Sequence, residues 1–240
     1  MESLSTTETD ITKNAPQLRF PEFYDEWEQQ ELGDKSTFSK GKSISKKDII
    51  DEGIHLCIRY GELYTTYNEI IKKDKVVSKT NLDIKNLVLS NKNDVIIPSS
   101  GETQLDIATA SCVIDSDIIL GGDLNIISTK HNGIFIAYYL NNKKKKDIAK
   151  LSQGNSVVHL YNKNLSELNV NIPSALEQQK IANFLTQVDQ KIELLEKQQA
   201  ALEQYKKGIM QKIFNQEIRF KIENQTGELV EPPEWEEKKL

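Results

Sequence analysis

Apolar residues return at every seventh position from Ile181 through Val188, Leu195 and Leu202 to Ile209 without a break. Leu185, Ile192 and Ile213 fill the matching second position, with Gln199 and Lys206 as polar interruptions, and neither proline nor glycine intervenes before Gly208. Such a pattern predicts a coiled-coil seam. Upstream, Ile172-Pro173 closes the preceding element, and Ser174-Ala175-Leu176-Glu177 reads as a capping box. In that box the serine hydroxyl accepts from the Glu177 amide while the carboxylate reaches back to the serine amide. The expected helix spans residues 174–215, some 40 residues and ~60 Å long. That is too long to be buried within one domain. A seam of Ile181, Leu185, Val188, Ile192, Leu195, Leu202, Ile209 and Ile213 therefore requires a partner helix, from this chain or another.

The region before it follows different rules. His55–Arg59, Asp94–Pro98, Ala108–Ile114 and Leu124–Ser128 read as short strands, punctuated by turns at Gly101, Gly121-Gly122 and Gly133. A helix is expected over Ile134–Lys150, and its lysine run, Lys143 to Lys146, reads as a solvated face or a phosphate-contacting cluster. Residues 18–173 thus form one mixed domain, and the fold class is α+β, with the long helix following. Residues 1–17 are polar and acidic, without the basic start and apolar stretch of a secretory signal, and read as a flexible tail. No apolar run approaches the roughly 18 residues that a membrane-spanning helix needs, so no membrane partner is expected. Cys57 and Cys112 are too few for a disulfide framework or a four-ligand zinc site. Both lie in apolar surroundings and read as buried thiols in a reducing cytoplasm.

The overall charge of −5 argues against a polyanionic partner only until it is mapped. The acidity sits at the ends: residues 1–34 are net −7 and residues 215–240 net −3, which leaves the central 180 residues at net +5. A phosphate-facing surface needs local positive potential, which the total does not measure. Catalytic chemistry finds no foothold. There is no phosphate-binding glycine loop and no dinucleotide fingerprint, and the Pro-Pro at 232–233 lacks the Asn/Asp and aromatic neighbours of an amino-methyltransferase motif. His55, His131 and His159 are scattered singly, so catalytic and metal-ligating residues are expected to be absent.

Glu26-Trp27-Glu28 followed by Leu32 returns as Glu234-Trp235-Glu236 followed by Leu240, and Arg19-Phe20 returns as Arg219-Phe220. Residues 216–240 accordingly read as a linker and the start of a truncated second repeat.

Several ordered stretches resemble a known family: Trp27-Glu28; Ile58-Arg59-Tyr60-Gly61-Glu62; Gln153 to Tyr161; Leu165-Ser166-Glu167-Leu168; Val170-Asn171-Ile172-Pro173; and Leu176-Glu177-Gln178-Gln179 running to Leu185. In this order and spacing the chain resembles a specificity subunit of a type I restriction–modification system, in a half-length form with one target-recognition domain and one spacer helix. The resemblance implies a non-catalytic subunit that reads one half of a bipartite double-stranded DNA target. It also implies docking to a methyltransferase subunit, which carries S-adenosylmethionine, and to an ATP-using motor-nuclease subunit, with no cofactor on the chain itself. Half length makes homodimerisation through the spacer helix a further expectation. A coiled-coil scaffold for another protein complex and an inactive truncated fragment remain open alternatives.

Sequence readout needs side chains with fixed donor and acceptor patterns on loops or helix ends, with lysines on phosphates. Ser99, Ser100, Glu102 and Thr103 make one such loop, and Gln153, Asn155, Ser156 and His159 a second. Lys40, Lys42, Lys46 and Lys47 are the phosphate-type candidates, together with Lys143 and Lys144.

Overall fold

Asp94–Pro98 is buried along its whole length, and most of the first part of the chain is arranged around it. The computed structural model describes residues 16–42, 44–154 and 157–236. It divides into two units, one ending at Phe184 and one beginning at Leu185.

In the first unit, Asp94–Pro98 lies at the centre of a five-stranded sheet. It pairs antiparallel with Leu124–Thr129, in a register that sets Ile96 opposite Ile126. On its other side it pairs with Ser111–Val113, Val95 opposite Cys112. Ser36–Lys40 and Ile70–Ile71 form the two edges. Successive side chains of a strand leave opposite faces, so the sheet separates two cores. Val95, Ile97, Cys112 and Ile127 join Phe135, Ile136, Leu140 and Ile148 on one face. Ile96, Val113, Leu124 and Ile126 join Ile58, Leu63 and Ile71 on the other. The second core is shared with a three-stranded sheet of Ser78–Thr80, His55–Ile58 and Ile119–Leu120. A further pair, Glu28–Glu31 with Asn169–Ile172, joins the early and late parts of this unit.

The long strands follow the periodicity closely, while the short ones carry too few residues to show a period. One helix differs. In place of a single element over 134–150 there are two, Gly133–Asn142 and Lys145–Leu151. The amides of Lys143 and Lys144 both fall on the Tyr139 carbonyl, at 2.9 and 3.3 Å, and this break lets Ile148 and Ala149 enter the core. Gly133 opens the first helix where a side chain has no room: a Cβ there would sit 2.8 Å from the Cys112 sulfur and 2.5 Å from the Asn93 carbonyl. Cys57 and Cys112 are buried, and burial pushes their thiols up to about 11 and about 12. Both are inert at neutral pH.

The long helix runs Ala175–Phe214 over 40 residues. Its opening belongs to the first unit, where Ala182 is buried and Ile181 packs against the core. In the second unit the seam is bare: Val188, Ile192, Leu195 and Leu202 are 40, 48, 49 and 59% exposed. After the helix a hairpin pairs Ile222–Glu223 with Leu229–Val230, turning at Gly227, whose φ of 85° suits glycine. Beyond it, the Trp235 ring meets Phe214 edge-on at 6.3 Å.

Candidate nucleic-acid interface

Two loops that are distant in sequence become one surface. Ser100–Gly101 pairs antiparallel with Val158–His159, setting His159 opposite Ser100. The second loop is closed on itself by backbone bonds in both directions between Gln153 and His159, at 2.9 and 2.7 Å. Gln153, His159 and Glu102 are exposed and Ser100 is half-buried. Ser99 and Thr103 have other tasks. Ser99 is buried, and its backbone ties the pair together by donating to Asp123 and accepting from Leu160, at 2.8 and 3.0 Å. Thr103 caps the short helix Gln104–Ile107, accepting from the Asp106 amide at 3.1 Å and donating to its carboxylate at 2.7 Å. Neither hydroxyl faces outward unengaged. Asn155 and Ser156 lie outside the described residues.

Lys40 ends an edge strand next to this surface. Its ammonium is 6.0 Å from the centre of the Tyr161 ring, which lies 6.5 Å from the His159 ring. The Asn162 side chain fixes the arrangement by donating to the Ser39 carbonyl at 3.0 Å. Lys42 is held by its amide on the Leu120 carbonyl at 3.0 Å. That close approach depends on Gly41, where any Cβ would collide with the Gly121 carbonyl. Lys46 and Lys47 are exposed on the short turn Lys46–Asp48, which Ser45 and Asp48 cap by bonds of 2.6 and 2.8 Å. Lys143 and Lys144 stand at the break between the two helices, and Lys144 is paired with Asp147 at 3.4 Å.

A cleft of about 690 Å³ adds residues that no loop composition singled out. Arg59, Tyr60, Tyr64 and Asp123 line it together with Lys46 and Glu102. Arg59 is held against Glu62 by bonds of 3.0 and 2.8 Å, and Glu62 also accepts from the Ser78 hydroxyl. The rings of Tyr60 and Tyr64 are 6.5 Å apart, and burial pushes the Tyr64 phenol upward, keeping it a proton donor at neutral pH. Phenols, an ammonium and carboxylates on one concave wall supply the mixture of donors and acceptors that base edges require. In the sequence this wall shows as Lys46, Glu102 and the family-like stretch Ile58-Arg59-Tyr60-Gly61-Glu62.

The opening of the long helix carries a second polar cluster. Ser174 accepts from the Glu177 amide at 3.3 Å, as the capping box requires. The Glu177 carboxylate does not complete the box. It is almost fully buried, at 1% exposure, and binds both forks of Arg19 at 2.7 and 2.6 Å and the Trp27 indole at 3.3 Å. A bidentate guanidinium outcompetes a backbone amide for a desolvated carboxylate. Gln178, also buried, accepts from the Asn132 amide and donates to the Pro173 carbonyl, both at 2.9 Å, and faces His131 Nδ1 at 3.4 Å. His131 Nε2 lies 2.9 Å from the Gln30 side chain. Burial, reinforced by Lys35, holds the His131 pKa below that of an ordinary imidazole. These contacts pin the helix opening beside the Glu28–Glu31 and Asn169–Ile172 pair. Among the described residues no group of three or more His, Cys, Asp or Glu could hold a metal ion.

A family model for the type I restriction modification DNA specificity domain matches residues 24–204. The specificity subunit of type I restriction enzyme MjaVIII from Methanocaldococcus jannaschii is 28% identical over 228 residues, covering 93% of this chain and 49% of that protein. The chain thus spans about half the length of this curated relative. A crystal structure of a type I system S subunit from M. genitalium superposes with a TM-score of 0.52 at 19% identity, over 70% of this chain and 40% of that one. The HsdS subunit from Thermoanaerobacter tengcongensis does so with a TM-score of 0.51 at 17% identity, over 82% and 46%. At these identities the two structures show a shared fold: mixed sheets followed by a long helix.

Proposed function

The chain belongs to the type I restriction–modification DNA specificity domain family, and on that premise we propose that it reads one half of a bipartite double-stranded DNA target. The supporting observation is the extent of the match, which takes in both the sheet domain and most of the long helix. The paired loops carrying Ser100, Glu102 and His159 and the cleft of Tyr60 and Tyr64 make the base contacts, and Lys40, Lys42, Lys46 and Lys47 make the phosphate contacts. The chain performs no chemistry. A methyltransferase subunit using S-adenosylmethionine and a motor-nuclease subunit using ATP dock along the long helix in the cytoplasm, and no membrane is involved; no described helix is long and apolar enough to cross one.

Two copies pair their Ile181–Ile213 seams antiparallel, covering the exposed Val188, Ile192, Leu195 and Leu202 and presenting two identical recognition domains. Two-fold symmetry then demands an inverted-repeat target. Co-expression with the cognate methyltransferase, followed by methylome sequencing, tests both parts. Adenine methylation within an inverted repeat is expected. An asymmetric target overturns the pairing, and methylation no different from that of cells lacking the chain overturns DNA reading.

A further inference from the structure

The chain carries the dipeptide Arg-Phe twice, as Arg19-Phe20 and Arg219-Phe220. The first copy grips the opening of the long helix. Arg19 holds both carboxylate oxygens of Glu177, at 2.7 and 2.6 Å, and the Phe20 ring meets Phe184 edge-on at 5.7 Å. Glu177 and Phe184 stand two helical turns apart on one face, so a single dipeptide reads a carboxylate and an aromatic at fixed spacing. The second copy has the same side chains without those contacts. Phe220 is 75% exposed, and Arg219 donates to the Pro233 carbonyl. The hairpin Ile222–Val230 takes up the extra length between Arg219 and Trp235.

We propose that Arg219-Phe220 is a second clamp of the same chemistry, and that its occupant is the helix opening Glu177–Phe184 of another copy of this chain. The proposal rests on the antiparallel pairing above. In that arrangement the end of one helix, at Phe214, lies beside the start of the other, at Ala175. The clamp follows Phe214 within a few residues, so its local concentration at the partner's Glu177 reaches roughly the millimolar range of a short tether. It competes there with the partner's own Arg19-Phe20. Both of those residues precede the first strand at Glu28, so the exchange leaves the sheets intact. The clamp gives a mainly apolar seam a polar end-stop, adding to the register that Gln199 and Lys206 set within it.

The test uses two full-length chains, one carrying Asn183→Cys and the other Lys221→Cys, mixed and mildly oxidised. Cys57 and Cys112 are fully buried and do not compete. A disulfide-linked heterodimer is expected, and adding Arg219→Ala to the second chain should abolish it. Arg19→Ala in the first chain frees its Glu177 and should tighten pairing about tenfold; Glu177→Gln in the same chain should reverse that gain. If Arg19→Ala does not fold, the cysteine pair in the unaltered background still decides. Dimers by light scattering whose cross-link is independent of Arg219 overturn the clamp and leave the pairing standing. A monomer overturns both.

Discussion

The two units use the same kinds of apolar residue at comparable density and treat them oppositely. In the unit ending at Phe184, Val95, Ile96, Ile97 and Ile127 are wholly buried between strands and helices of the same chain. In the unit beginning at Leu185, Leu195 and Leu202 remain about half exposed or more, at 49 and 59%. A twisted sheet has two faces and covers both with its own connections. A lone helix has one stripe and nothing of its own to put there. Helix propensity by itself is a weak stabiliser, so the first unit is held from within while the second leaves its apolar stripe uncovered. The contrast meets within the helix Ala175–Phe214, which begins as part of a core and ends as a surface.

The comparison can be broken most forcefully at the sheet. Ile96→Ala removes a fully buried side chain between two paired strands and should cost about 4 kcal/mol, seen as a lower denaturant midpoint. A loss below about 1 kcal/mol would mean that the first unit is not the tight core described. Next comes the junction. Glu177→Ala strands a largely desolvated guanidinium and an indole N–H, and about 3 kcal/mol of stability should go with it. Hydrogen exchange at the helix opening should rise in parallel.

The seam should behave in the opposite way. Leu195→Asp with Leu202→Asp changes exposed positions, so the unfolding free energy of the first unit should hold within about 0.5 kcal/mol, while the proposed dimer should be lost in light scattering. A drop in the first unit's own stability would erase the distinction between the units. The smallest effect is on acidity. Because the folded His131 pKa lies below that of the unfolded chain, stability is independent of this group above the unfolded value, about 6.5. As pH falls through that value the unfolded state takes the proton first, and stability declines. Protonation at Nδ1 would also set an N–H against the Gln178 amide. His131→Gln should therefore flatten the acid limb of a pH–stability profile between pH 7 and 5, and an unchanged limb would assign the loss to other groups.

What could be read in the sequence follows from range. The long helix was legible because its cause is local and repeated: a seven-residue apolar period and a capping serine identify it within two residues at either end. Asp94–Pro98 and Leu124–Ser128 were legible because short runs of β-branched residues, Val95-Ile96-Ile97 and Ile126-Ile127, stand between turn-forming residues. The candidate surface was only partly legible. Composition pointed to Ser100, Glu102, Gln153 and His159 as polar loop residues but could not say that two loops pair, nor that Ser99 turns inward and Thr103 caps a helix. The wall that sets Arg59 and Tyr64 beside Glu102 and Asp123, and the Arg19–Glu177–Trp27 cluster, were not legible as sites, since their members come from distant parts of the chain, Arg19 and Glu177 lying 158 positions apart. The break at Lys143–Lys144 was invisible for a related reason: a lysine run favours helix locally, and only the core's need for Ile148 bends it. Sequence by itself therefore determined the elements whose stabilising contacts recur within a few residues, together with the family they belong to. Tertiary structure alone decided which polar side chains meet, because closing a long loop brings together residues whose identities carry no mutual signal along the chain.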